Sequence, residues 1–148
     1  MRVSAKGRYA LAAIIEIARQ TGEGGMISVL SIANTLGISK IYLEQVLSQL
    51  KKGNIIYASK GSRGGYQLAR VPGSITVLDV LLTVENTLIE KADSTVPEQS
   101  PGIEMALREK VWGELDRAVE ACLGSITVQE LLDYSERQRS EQAYMPNM

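Results

Sequence analysis

Ser39, Lys40, Ile41, Tyr42, Glu44 and Gln45 fall in one short segment whose apolar residues Leu43, Val46, Leu47 and Leu50 share a helical face. Polar side chains from the N-terminal half of such a helix are the right size to meet base edges in a major groove, while neighbouring lysines meet phosphates. Glu44 is the informative member. A carboxylate facing a polyanion is unfavourable unless it accepts a hydrogen bond from a cytosine amino group. A second set, Lys60-Gly61-Ser62-Arg63-Gly64-Gly65, separates two strand-like runs. Its glycines allow close backbone approach, and Lys60 and Arg63 are long enough to enter a minor groove, where negative potential favours them. The set lacks the helix and lysine placement of a phosphate-binding loop. Arg2, Lys6 and Arg8 at the N-terminus complete the expected DNA-binding residues.

The same residue inventory argues against catalysis. With no histidine and one cysteine, Cys122, the usual general base, the usual nitrogen ligand and an internal disulfide are all missing. Most metal sites and hydrolytic triads go with them. No acid pair stands at a recognisable spacing, so no enzyme and no cofactor are expected. Cys122 reads as a small buried hydrophobe. A rival is a sensor in which residues 86–102 enclose a small molecule, or a metal held by Glu90, Asp93 and Glu98. No apolar run approaches the ~18 residues of a spanning helix, and the opening Met1-Arg2-Val3-Ser4 has no signal-peptide pattern. No membrane association is expected, and the location expected is cytoplasmic.

Charge is divided along the chain. The net charge of −1 conceals ten Lys/Arg against three acids in residues 1–72, a net +7, and six against fourteen in residues 73–148, a net −8. Phosphate neutralisation needs local positive charge, so the split suits a nucleic-acid-binding half joined to a self-associating one.

The elements that must position these residues follow from periodicity. Apolar residues at three-to-four spacing predict a helix from Ser4 to about Gln20, ended by a glycine-rich turn at 21–25. Ser28 caps a short second helix that Gly37 closes in a left-handed conformation. Ser39 caps the third helix, which Gly53-Asn54 stops. Two helices on a tight glycine turn are a helix-turn-helix. Residues 55–59 and 66–69 then read as a hairpin with a basic, glycine-rich tip. Past Val71-Pro72-Gly73, Thr76 and Asp79 form a capping box for a helix through Val84. Residues 86–102 read as loose, and a long amphipathic helix is expected over about 104–123. Its stripe is Leu107, Val111, Leu115, Ala118, Val119 and Leu123, too wide for the N-terminal half to bury, so a second copy is expected against it. Thr127 and Glu130 cap a last helix to about Arg139. The tail from Ser140 to Met148 reads either as a frayed terminus or as an extended peptide that docks on a partner protein. The fold class is thus mainly α: a winged helix-turn-helix DNA-binding domain over 1–72, and a dimerisation and regulatory region with a long C-terminal dimerisation helix over 73–148. The expected partners are a second copy and double-stranded DNA with a roughly palindromic operator.

Three motifs in register, Met1-Arg2-Val3-Ser4-Ala5-Lys6-Gly7-Arg8-Tyr9-Ala10, residues 38–45 and Arg63-Gly64-Gly65-Tyr66, resemble the Rrf2 family of bacterial repressors over essentially the whole chain. The resemblance implies a winged-helix dimer joined by the long helix, with Glu44 reading bases and Lys60 at the minor groove. Ile41 stands where some relatives carry a helical serine. Cluster-binding members carry three cysteines in the stretch corresponding to 86–108, where this chain has none, so a colourless, iron-free protein indifferent to nitric oxide is expected. The cysteine-less stretch, Arg108-Glu109-Lys110-Val111-Trp112 and the ending Glu141-Gln142-Ala143-Tyr144-Met145 look most like the cysteine-metabolism branch. There the resemblance implies cysteine synthase, sensing O-acetylserine, as a partner.

Overall fold

A serine opens each of the first three helices. In the computed structural model, which describes residues 3–22, 24–85, 88 and 92–144, the Ser4 side chain accepts a hydrogen bond from the Gly7 amide and starts α1 (Ala5–Thr21). Ser28 accepts from Ser31 and starts α2 (Val29–Leu36), and Ser39 accepts from Tyr42 and starts α3 (Lys40–Lys52). Each cap satisfies an amide that the helix leaves orphaned, worth about 1 kcal/mol. Gly37, at φ 67° and ψ 31°, closes α2 by donating its N–H to Ala33 at 2.9 Å. The tight turn between α2 and α3 is therefore as expected.

The end of α3 differs in one residue. Asn54, at φ 60°, takes the left-handed conformation, and Gly53 stays at φ −82°. Gly53 serves closeness instead: a Cβ there would lie 2.5 Å from Thr83 Cγ2 of the helix packed beside it. The hairpin pairs β1 (Ile56–Ser59) with β2 (Gly65–Leu68) antiparallel, in the register Ile56↔Leu68 to Ser59↔Gly65. Ile27 adds a bridge from the α1–α2 connection, exchanging both backbone hydrogen bonds with Tyr66 at 3.0 and 2.8 Å. This anchors the hairpin to the helical body.

Thr76 and Asp79 form a reciprocal capping box at the start of α4 (Val77–Val84). Residues 92–100 are turns, and the helix begins at Pro101, three residues before the expected start. It is also not uniform: α5 (Pro101–Leu107) runs into a π-helical turn at Arg108–Trp112 and then α6 (Gly113–Gly124). The apolar stripe is not uniform either. Leu107, Val119 and Leu123 are half-buried, while Val111, Leu115, Ala118 and Cys122 are exposed at spacings of four, three and four. Cys122 is thus exposed, correcting the expectation of a buried thiol. Finally α7 (Val128–Tyr144), capped by Thr127 accepting from Glu130, outruns its expected end by about five residues. The start of the tail is therefore helix, and 145–148 lie outside the described residues.

The main core draws on both sides of Pro72. Ile14, Ile17, Ile32, Leu43, Leu47 and Leu50 pack with Ile75, Val80 and Val128, all fully buried. Each such side chain contributes roughly 1.5–3 kcal/mol by leaving water. Backbone bonds from Val77 to Ile126 and from Val128 to Ile75 stitch α4 to the α6–α7 connection. α3 and the hairpin consequently stand on a rigid base.

Candidate nucleic-acid interface

Burying Leu43, Val46, Leu47 and Leu50 fixes the rotation of α3 and turns its other face to solvent. Ser39, Lys40, Ile41, Glu44 and Gln45 are all exposed there, Ile41 at 72%. Lys40 and Glu44 stand one turn apart with 3.7 Å between Nζ and Oε1, a loose, solvent-exposed pair that leaves both groups available. Tyr42 differs from its neighbours. Its ring is half-buried and meets Tyr9 of α1 edge-on, centroids 5.5 Å apart at 85°, so it braces the helix against α1. Tyr9 thus helps to hold α3 in place, a contact between helices that no local sequence signal marks.

The hairpin stands beside α3. Burial, and secondarily the Glu44 carboxylate, push the Tyr66 phenol of β2 above its ordinary value, so the acid of the helix acts on the strand beside the hairpin tip. Lys60, Gly61 and Arg63 are exposed at the tip. Gly61 has φ 101° with nothing within 4 Å of where a Cβ would be, the geometry of a tip open to a ligand. Gly64 and Gly65 have another reason to lack side chains. A Cβ on Gly64 would sit 2.2 Å from Ser59 O, and one on Gly65, at φ 145°, 2.4 Å from Ile27 O. They let the hairpin close and dock. Arg8 is exposed and Lys6 half-buried at the start of α1, while Arg2 lies outside the described residues.

Ion pairing sorts the basic residues of this half. Arg19 is held by Glu16 of the same helix and Arg70 by Asp79 of α4 at 3.1 Å. Lys6, Arg8, Lys51, Lys52, Lys60 and Arg63 have no ion-pair partner among the described residues. Basic residues at the start of α1, the end of α3 and the hairpin tip, with the exposed polar face of α3, can neutralise phosphates while carrying few groups to base edges. It presents no nucleophile and base in register. Among the described residues no helix is long and apolar enough to cross a membrane.

Comparison with known proteins agrees with this geometry. The model of the Rrf2 family, described as an iron-dependent transcriptional regulator, matches residues 3–134. The chain is 33% identical over 153 residues to the HTH-type transcriptional regulator IscR of Xenorhabdus nematophila, covering 99% of this chain and 92% of the relative. It is 32% identical over 145 residues to the HTH-type transcriptional regulator CymR of Bacillus subtilis, covering 98% of each. The solved structure of CymR, the global cysteine regulator of B. subtilis, superposes with a TM-score of 0.75 at 32% identity over 90% of this chain and 98% of that one. The donor set here is a poor fit for an iron–sulfur cluster. Such clusters are held by several cysteine thiolates, with histidine in some, and this chain has one cysteine and no histidine. Among the described residues no three Cys, Asp or Glu side chains gather closely enough to hold an ion. A family model spanning most of the chain, relatives matched nearly end to end and a helix-turn-helix with a basic hairpin converge: the chain belongs to the Rrf2 family of transcription regulators, and it is a DNA-binding regulator.

Proposed function

We propose that the protein is a homodimeric, cluster-free repressor that binds a roughly palindromic operator and controls genes of cysteine or sulfur metabolism. The observation that carries the DNA-binding part is the joint exposure of Lys40, Glu44 and Gln45 on α3 and of Lys60 and Arg63 on the hairpin, the latter two without an ion-pair partner among the described residues. In this reading Glu44 and Gln45 read bases, Ile41 meets a thymine methyl, and Ser39, Arg2, Lys6 and Arg8 contact phosphates. Lys60 and Arg63 enter the minor groove around the open tip at Gly61. Dimerisation is supported by the outward stripe of Val111, Leu115, Ala118 and Cys122, with Leu115 52% exposed. That is a coiled-coil-like seam left without a cover in a single chain, and a two-fold pair would present two α3 helices to a palindrome.

The regulated genes are inferred from the CymR likeness and from the donor set, which leaves a cluster without ligands. By the same likeness, cysteine synthase is the proposed partner, with O-acetylserine releasing it through linkage. Sequencing genomic fragments retained by the purified protein tests the assignment. Enrichment of palindromes upstream of sulfur-assimilation genes supports it, and enrichment confined to unrelated promoters overturns it. Adding cysteine synthase, with and without O-acetylserine, to the same fragments tests the partner: affinity unchanged in every combination removes it from the account.

A further inference from the structure

The π-helical turn at Arg108–Trp112 borders a cavity of about 450 Å³ whose walls are Ala92, Asp93 and Ser94 on one side and Glu104, Arg108, Trp112, Gly113 and Asp116 on the other. Several features make it a formed site. Glu104 is buried, and its carboxylate accepts the amides of Thr95 at 3.0 Å and Val96 at 2.8 Å, which hold the 92–100 segment over the helix. These amides, first Val96 and then Thr95, keep its carboxyl below the ordinary range, so it is an anion with its needs met by backbone. Arg108 lies 3.8 Å from it, too far for a hydrogen bond, and makes none among the described residues. That contact is a long ion pair, whereas Asp93 and Asp116 have no ion-pair partner among the described residues. Trp112 contributes an indole that is 37% exposed, and Gly113 lines the wall with backbone alone. π-Turns persist at a cost in helix geometry and recur at functional sites.

A guanidinium held only by a long ion pair to Glu104, and two carboxylates with no ion-pair partner among the described residues, define complementary chemistry beside an indole. We infer that this cavity is a binding site for a small zwitterion of amino-acid size, its ammonium held by Asp93 and Asp116 against the Trp112 ring and its carboxylate by Arg108. A guanidinium matches a carboxylate in a planar fork, and an ammonium over an indole gains from the ring's negative face. The volume falls within the range of small-molecule pockets. A bare metal ion is a poorer match, because no three anionic ligands converge among the described residues. The site lies outside the DNA-binding surface, and its occupancy can be read without DNA.

Trp112 is the only tryptophan in the chain, so its emission reports this cavity alone. Two isomeric zwitterions, L-norvaline with adjacent charges and 5-aminopentanoate with separated ones, are titrated into the full-length protein at fixed ionic strength. Pentylamine and pentanoate serve as single-charge controls. At least one zwitterion is expected to change the emission saturably and to bind roughly tenfold or more tightly than either control. Asp116→Asn and Asp93→Asn should weaken the zwitterion and pentylamine alike. Arg108→Gln should remove the advantage of the zwitterion over pentylamine. The far-ultraviolet spectrum of each variant confirms that it is folded. A response to neither zwitterion, a response matched by both controls, affinities unmoved in the folded variants, or displacement of the zwitterion by lower concentrations of Mg²⁺ would each overturn the assignment.

Discussion

Replacing Glu44 with alanine separates base reading from everything else the residue does. Its one ion pair among the described residues is with Lys40 at 3.7 Å, with side chains 56% and 48% exposed and Lys on the N-terminal side, the weaker order along a helix. Such a pair is worth at most about 0.3–0.5 kcal/mol, and alanine recovers a few tenths through helix propensity. Stability should therefore move by less than about 0.5 kcal/mol, within about 2 °C of melting temperature for a chain of this size. Discrimination should move much more. A carboxylate accepting from a cytosine amino group is worth about 1–3 kcal/mol against other bases, roughly a 5- to 150-fold loss of preference at one position in each half-site. Removing a negative charge from beside phosphates should also leave non-specific affinity unchanged or raise it. The assay is competition between a selected operator and single-base variants, with thermal melting alongside. Lys60→Ala is the contrasting control, expected to weaken binding to all these duplexes about equally. An unchanged ranking of the variants with Glu44→Ala would make the residue a surface acid only, and a large fall in melting temperature would show that the structural reasoning about α3 is wrong.

Other substitutions test the remaining parts. Leu115→Glu, at an exposed position, should leave the protomer folded but shift sedimentation from dimer to monomer and reduce operator affinity by ~10²-fold or more, because two half-sites no longer act together; an unchanged dimer would place the interface elsewhere. Gly65→Ala must fit a Cβ 2.4 Å from Ile27 O at a φ of 145°, so it should cost more than about 1 kcal/mol, whereas Gly73→Ala, with open space around it, should be nearly silent; equal effects in thermal melts would contradict the docking of the hairpin. The Glu104 carboxyl is held below its ordinary value, so the tie between 92–100 and the helix is complete above the ordinary carboxylate range and is lost as pH falls through the lowered value. Amide hydrogen exchange at Thr95 and Val96 should therefore stay protected at mildly acidic pH after exposed carboxylates have begun to protonate; protection lost together with those carboxylates would refute it.

Much of this architecture is legible in the sequence because its signals are local. Serines at 4, 28 and 39, the box of Thr76 and Asp79, and the αL closure at Gly37 depend on a few neighbouring residues, and each appears where those residues place it. The polar face of α3 follows from its apolar spacing in the same way. What was not legible depends on contacts distant in sequence. Gly53 and Gly65 look like turn or tip glycines, but they answer to Thr83 and Ile27, neighbours that only the tertiary fold supplies. The π turn leaves no mark in a 3.6-residue pattern, and the exposure of Cys122 depends on how the long helix lies against the rest of the chain. The cavity beside it escaped notice because Asp93, Arg108 and Asp116 are unremarkable surface charges until Glu104 draws 92–100 across the helix.

The central claim is that a pair of these chains binds duplex DNA through the cationic surface of α3 and the hairpin. It is tested most directly by measuring affinity for a selected palindromic duplex as a function of salt, with stoichiometry fixed by sedimentation of the complex. Unpaired cations in each protomer, among them Lys51, Lys52, Lys60 and Arg63, provide for six or more phosphate contacts per dimer. The account predicts two chains per duplex and an affinity that falls ~10³-fold or more between about 50 and 200 mM salt. A flat salt response, or a single chain binding as tightly as the pair, would contradict it.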